Sequence, residues 1–543
     1  MAPLHHETGK RVNTGQPGQP GQPGQPGQES QDAGPSRPNR AYSVASGNTT
    51  LVRVSLSGDG GHGRDDGHDA NIIRWDANDA ENPHNWPGLF KFLHISPVIG
   101  MTLLSNLAIG MIAPSIPKVL SDFRSANHEL AVFAVTAYVL GFAAGPLLVK
   151  PLSERYGRRG IYLVCSLGFF VFTRACAHAA SLELLVLFRA IAGVFGSCPL
   201  TIGRGTITDL TAGKKLQIAL GIYSCCEMVG FAFGPWIGSR LADAVGWRAV
   251  FRIVAFAAVA LLLPSIMLCF RSQETYAPVL LQRRVNRLRK ETGNVLLRSS
   301  LDSGRDHFRG NIIVPFRLLF SSSVCTTYAV IGCLAYGCHF IILTTIAYVF
   351  PKFFAAEPDS LPLLFLGIGL GCMLGWMGCF VLPRTEQPED HSRRRLWRLP
   401  VGLFLAAFGL VVYGWAPMDQ DGDLWVFPLF TLLPIIQVLH DTFNGDSAIP
   451  AVAIGKSICG GALPVFGPTM YAGMGVTWTN TTLAVVMAVL LLVSLRLISI
   501  NNRNRVRGPE ARGEPGSPSS TRDASCTGAW GWAVPMRPFW NWM

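Results

Sequence analysis

The sequence predicts an all-α integral membrane protein with twelve transmembrane helices in two pseudo-symmetric six-helix bundles. Three observations carry that expectation. Only 15% of the 543 residues are charged and 49% are hydrophobic, with mean hydropathy +0.30, whereas soluble domains carry about 25% charge. The apolar residues fall in runs close to the ~20 that a helix needs to cross ~30 Å of hydrocarbon. The basic residues gather in alternate connections between those runs, as membrane topology requires. The net charge of +12 therefore reports orientation in a bilayer rather than nucleic-acid binding.

Residues 1–88 read as a disordered cytoplasmic tail. MAPLHHETGK has no secretory character, and the tripeptide repeat Gly15–Gln28 is low-complexity linker rather than collagen. The two histidines of GDGGHGRDDGHD, 58–69, read as part of a solvated tail and not as a metal site. The first bundle, 89–270, has spans near 91–113, 131–149, 160–180, 184–206, 216–239 and 250–270. A basic cytoplasmic linker, 271–320, follows. The second bundle, 321–500, has spans near 324–349, 361–383, 399–416, 424–440, 457–475 and 478–499, and a tail occupies 501–543. Span 424–440 is short and holds Pro428 and Pro434, so it reads either as a broken helix or as an incomplete stretch of sequence. The aromatic-rich end Gly528–Met543 reads either as an interfacial segment or as an incorrectly translated end.

Loop charge sets the orientation. Arg155, Arg158 and Arg159, then Lys214 and Lys215, then Arg271 through Arg317, then Arg384 through Arg398, then Lys456 fall in alternate connections. The intervening Met418–Asp423 is purely acidic. Both termini and the basic loops are therefore expected in the cytoplasm. The thirteen cysteines show no framework spacing, so neither a disulfide nor a zinc site is expected. An internal echo joins the halves: Ala232–Trp247 and Val465–Trp478 each carry Phe-Gly-Pro and then a tryptophan, each at the fifth span of its bundle. Parallel six-helix repeats with binding near the midplane are a transporter architecture.

Several motifs in order then resemble a family. Leu152–Arg159, LSERYGRR, resembles the loop 2–3 signature of the major facilitator superfamily. Leu187–Leu210 is similar to the helix 4 signature of its twelve-helix drug:proton antiporters, and Gly230–Ser239, GFAFGPWIGS, to their helix 5 antiporter motif. Glu81–Pro87 and Glu274–Asn294 resemble the fungal branch, of the multidrug and polyamine type. The resemblance spans roughly 81–500 and implies the major facilitator fold.

It also implies roles. Lys150, Glu154, Arg155, Gly157, Arg158 and Arg159 correspond to the gating loop, with Glu154 as its acid and Arg155 and Arg159 in its network. A carboxylate among guanidinium groups can lock helix ends in one state and release them in another. Gating together with orientation is favoured over orientation alone. Lys150 departs from the small residue usual at its position, and Ser239 from a glycine. Arg189 matches the family's buried arginine, implicated in proton transfer. A role there is favoured over a snorkelling side chain, since charge within a span is costly. The stripe Gly230, Gly234, Pro235 and Gly238 is associated with exporters.

From the residues alone, Glu227 sits in an apolar setting that should raise a carboxyl pKa, with function and packing left open. His339 reads as a satisfied interior histidine in preference to a proton carrier. Asn106, Tyr138 and Tyr336 are candidate polar groups of a substrate cavity. No nucleophile elbow, zinc-protease, P-loop or dinucleotide motif is present, so no enzyme and no cofactor is expected; transport energy must come from an ion gradient or a partner, and the family resemblance implies a proton gradient. The expected activity is proton-coupled efflux of a small organic compound, such as a drug, toxin or secondary metabolite, by a monomer in the plasma membrane. The expected partners are the lipid bilayer, that compound and protons. An importer of the same fold and a non-transporting receptor or decayed paralogue are the alternatives.

Overall fold

A chain in hydrocarbon must satisfy every backbone polar group internally, so its spans are helices. The computed structural model describes residues 71–76, 79, 81–271, 274–301, 317, 320, 323–353, 361–381, 388–415 and 449–510. The expected span 424–440, the aromatic terminal segment and residues 1–70 lie outside these.

The first half holds nine helices between Gly88 and Arg271, because prolines and glycines divide several spans. Helix α1 (Gly88–Gly110) ends where Pro114 withdraws a backbone donor. The chain tightens through a 3-10 turn, Ala113–Ser115, into α2 (Ile116–Asp122). Helix α3 (His128–Phe142) starts on the Asn127 side chain, which accepts from Leu130 N at 2.9 Å. It continues through a π turn, Gly145–Val149, into α4 (Lys150–Tyr156). Then come α5 (Arg158–Cys176), α6 (Leu182–Gly196), α7 (Cys198–Leu210), α8 (Gly213–Val245) and α9 (Trp247–Arg271).

A linker helix, α10 (Ala277–Thr292), precedes α11 (Ser323–Phe353), α12 (Leu361–Val381), α13 (Pro388–Trp415), α14 (Ile449–Ala462) and α15 (Gly467–Glu510). Gly475 interrupts α15 at φ +72°, a conformation open to glycine. Tyr471 before it donates to Asn480 Oδ1 beyond it at 2.8 Å, so the chain turns back there and the stretch serves as two spans. Among the described residues, seven helical stretches are long and apolar enough to cross a membrane. Helix α1 packs on α8, α3 on α6, and α5 on α6 and α9; in the second half α11 packs on α14 and α13 on α15. The halves meet chiefly through α8 against α12 and α3 against α14.

One expectation is corrected. The part of the 1–88 segment that is described has structure. Strand β1 (Ile72–Ile73) pairs in parallel with β2 (Arg298–Ser299) of the linker. Asp79 forms an ion pair with Arg284, whose guanidinium also lies over the Trp75 ring at 5.7 Å. Glu81 stands 3.8 Å from Arg287. A two-residue apolar pair has no local signature; its partners lie more than two hundred residues away.

Candidate functional site

The end of the molecule carrying the 149–160 connection, here called the basic end, is organised around Arg158. Gly157, at φ +96°, separates α4 from α5 and leaves the first amides of α5 without helical partners. The buried Glu274 carboxylate takes them: Arg158 N donates at 2.8 Å and Arg159 N lies 3.4 Å from both oxygens. Thr275 N and Tyr276 N donate to the same carboxylate at 3.0 and 3.2 Å. A Cβ at position 157 would collide with it, so this turn needs glycine both for its φ and for its space. A carboxylate also suits the positive pole of a helix N-terminus.

The Arg158 side chain reaches from α5 to α7 and the linker. Its Nη1 donates to Ile202 O at 2.9 Å, its Nε pairs with Asp209 Oδ2 at 2.6 Å, and its guanidinium lies 5.0 Å from the Tyr276 ring centre. Burial pushes the Tyr276 phenol above its ordinary range, and the Glu154 carboxylate adds to that. Arg155 stacks on the neighbouring Tyr156 ring at 5.5 Å. Lys150 opens α4, its carbonyl accepting from Ser153 Oγ at 2.7 Å. The sequence singled out Glu154, Arg155 and Arg159; the structure centres the network on Arg158 with Glu274 and Asp209. Those two acids stand inside the motif stretches read from the sequence, without any local feature that pairs them.

Arg189, on α6, is 2% exposed. Its guanidinium donates to Ala108 O at 3.0 Å, Ile109 O at 3.2 Å, Ala134 O at 3.2 Å and Val135 O at 3.3 Å. The first two are last-turn carbonyls of α1, left over because the chain leaves the α-helix before Pro114. Its charge rests on the faces of Tyr138, at 4.5 Å, and Phe251, at 5.7 Å. Tyr138 is itself fully buried: its hydroxyl meets Ser105 Oγ at 3.0 Å, and that hydroxyl donates to Gly196 O at 2.6 Å. The structure therefore places Tyr138 inside the first half, between α1, α3 and α6.

The α8 stripe seats that helix on α1. A Cβ at Gly230 would stand 2.5 Å from Leu103 O, one at Gly234 2.7 Å from Leu107 O, and one at Gly238 would overlap the Met111 carbonyl. Every fourth residue of one helix thus faces every fourth of the other, a close backbone approach that only small residues permit. Pro235 fills the space over Gly110, where a Cβ would lie 2.6 Å from its Cγ. Asn106 lies in the same seam, its Nδ2 donating to Thr102 O at 2.9 Å. Glu227, one turn earlier, lacks the apolar setting expected for it: it pairs with Arg204 at 3.0 Å. Arg204 comes from α7, and nothing in the sequence indicates that α7 and α8 bring the two together.

Comparison with known proteins decides the family. The sequence profile of the Major Facilitator Superfamily matches residues 98–445. The chain belongs to the major facilitator superfamily. It is 34% identical over 468 residues to the efflux pump radE of Floropilus chiversii, covering 81% of this chain and 86% of that one. It is 34% identical over 442 residues to the MFS-type transporter penM of Penicillium rubens, covering 76% and 85%. A bacterial homologue of the human lysosomal transporter Spinster, solved inward-facing and unoccupied, shares the fold with a TM-score of 0.55 at 14% identity, covering 80% of this chain and all of that one. The protein is thus a multi-pass membrane transporter and not an enzyme.

In this major facilitator protein the halves touch at mid-helix and at the end opposite the basic one, and the π turn before α4 also meets α14. Phe231 of α8 meets His339 of α11 at 5.3 Å and Phe340 at 6.0 Å between ring centres. A Cβ on Gly461 would stand 2.9 Å from Leu140 Cβ. Towards the opposite end, the His128 ring lies 4.8 Å from Tyr348, and Thr469 Oγ1 donates to Glu129. Tyr336 stacks against Phe340 at 4.9 Å beside Gly460. The sequence reading took His339 as satisfied; its Nε2 is buried and makes no hydrogen bond among the described residues.

Proposed function

We propose that the protein exports a small organic compound across the plasma membrane in exchange for protons, as a monomer with both termini in the cytoplasm. The observation that carries this reading is the seam in which Gly230, Gly234 and Gly238 seat α8 on the carbonyls of α1 around Pro235. It gives three-dimensional form to the motif associated with exporters. The efflux pump among the relatives supports the same direction. On this reading the basic end faces the cytoplasm, and the cluster of Glu154, Arg155, Arg158, Arg159, Asp209 and Glu274 is the gate. Its ion pairs hold α4, α5, α7 and the linker in one arrangement and release them in the other. Arg189 holds α1 and α3 together while the first half rocks as a body.

The test is retention of loaded dyes, azoles, polyamines and fungal metabolites by intact cells expressing the chain, with and without a protonophore. Lower retention that a protonophore abolishes, and that Glu154→Ala, Arg158→Ala and Arg189→Ala lose, is the expected result. Accumulation in place of depletion would mark an importer. A correctly inserted protein that leaves retention of every compound unchanged would overturn the reading.

A further inference from the structure

Charge on a side chain held between two dry surfaces is costly, and the cost disappears when those surfaces part and water enters. His339 occupies such a place. It lies about halfway along α11, opposite Phe231, which lies about halfway along α8, so the pair sits near the midplane of helices that span a bilayer. The two helices belong to different halves. The imidazole is 6% exposed, is walled by Phe231 and Phe340, and has an Nε2 without a hydrogen-bond partner among the described residues. A buried polar atom of this kind carries a cost that function can explain.

Among the described residues, no charged side chain is paired with the imidazole. Titratable groups on the elements packed against α11 include Glu227 on α8, Cys372 on α12, Cys459 and Lys456 on α14, and Tyr471 on α15. Glu227 is turned to Arg204, and Tyr471 to Asn480. Lys118, His128 and Glu129 stand at the end opposite the basic one; Lys118 pairs with Asp243 and Glu129 meets Thr469.

We infer that His339 is the proton site that biases the protein between its two arrangements. With the halves in contact the imidazole is held neutral. When they part from the opposite end down to Phe231, water reaches the ring, and its free nitrogen takes a proton from that aqueous phase to form imidazolium. The charged ring resists burial against Phe231, so the halves close again only after the proton has been returned to water. The same proton is bound and released, with no other co-reactant. The proton returns to the phase that supplied it, so the inference adds a pH-dependent bias between the two arrangements to the proposed function, on which it rests, and its test needs no substrate.

The test is a distance measurement by pulsed electron resonance on the full chain in lipid nanodiscs. Spin labels are attached to a genetically encoded ketone amino acid at Ser121 and Met474, exposed positions in the two halves, so that the native cysteines are untouched. From pH 8 to pH 5 the ratio of parted to closed molecules rises, with a limiting slope of about tenfold per pH unit for one proton. His339→Gln keeps the closed distance at both pH values, which also separates His339 from His128 and Glu129, both left intact. His339→Arg, charged at every pH, favours the parted distance even at pH 8. A wild-type ratio indifferent to pH overturns the inference, as does a Gln variant that shifts like the wild type or an Arg variant that stays closed at pH 8. Loss of protonophore-sensitive efflux together with a retained distance shift would remove the exporter reading alone.

Discussion

Arg158 Nε and Asp209 Oδ2 stand 2.6 Å apart, with side chains only 11% and 18% exposed, at the point where α5, α7 and the linker converge. Such a pair gains little over an apolar contact of equal volume, but removing one partner strands the other's charge, at a cost of about 3–5 kcal/mol for a fully buried pair. The partial exposure of both side chains reduces that figure. We expect Asp209→Asn and Arg158→Gln each to lower the melting temperature in detergent, with the double variant more stable than their sum predicts. Simple additivity would show that the pair does not couple these elements.

The α8 stripe gives a graded series. Gly234→Ala places a methyl group 2.7 Å from Leu107 O, which the two helices must separate to admit. Overpacking of this kind costs about 1–3 kcal/mol. Gly234→Val should cost more and abolish transport, while Gly221→Ala on the same helix, with open space around it, should change neither stability nor transport. Melting temperature and dye retention read the two effects. Equal behaviour of positions 221 and 234 would refute the seam as the reason for the motif.

Much of this arrangement was legible in the sequence, because membrane spans are specified locally by length and apolarity. Eleven of the twelve expected spans fall on described helices. What local pattern cannot supply is pairing. Arg158 was visible in its loop, but Glu274 lies 116 residues away and Asp209 on a separate helix. Glu227 reads from the sequence as lying in an apolar setting because Arg204 is brought to it only by the packing of α7 on α8. Ile72 and Ile73 look like tail until β2 is beside them. The sequence places His339 in the interior, and only the meeting of the two halves shows that its Nε2 has no hydrogen-bond partner among the described residues.

Arg189 separates charge from geometry. Four carbonyls from two helices meet one planar guanidinium, an arrangement that a lysine ammonium with three donors cannot reproduce. Arg189→Lys is therefore expected to behave much like Arg189→Met, both losing stability and transport. If lysine supported full transport, positive charge alone would matter and the carbonyl contacts would be incidental.

The clasp between residues 71–86 and the linker gives the last test. Trp75, Asp79 and Glu81 hold α10 through Arg284 and Arg287, and β1 holds β2. The Arg284 and Asp79 side chains are 13% and 11% exposed, so they are screened less than a surface pair; the wider Arg287–Glu81 contact, at 60% and 40%, contributes little. Asp79→Ala should loosen α10 and expose the Arg287–Lys290 stretch to protease, while Glu81→Ala should leave it protected. Limited trypsin digestion of the purified chain distinguishes them by cleavage rate. Because Glu274 caps α5 directly before α10, loosening by Asp79→Ala should also weaken the Arg158 cluster, and the melting temperature should fall in step with the digestion rate. Faster digestion at an unchanged melting temperature would show that the clasp orders the linker without reaching the gate.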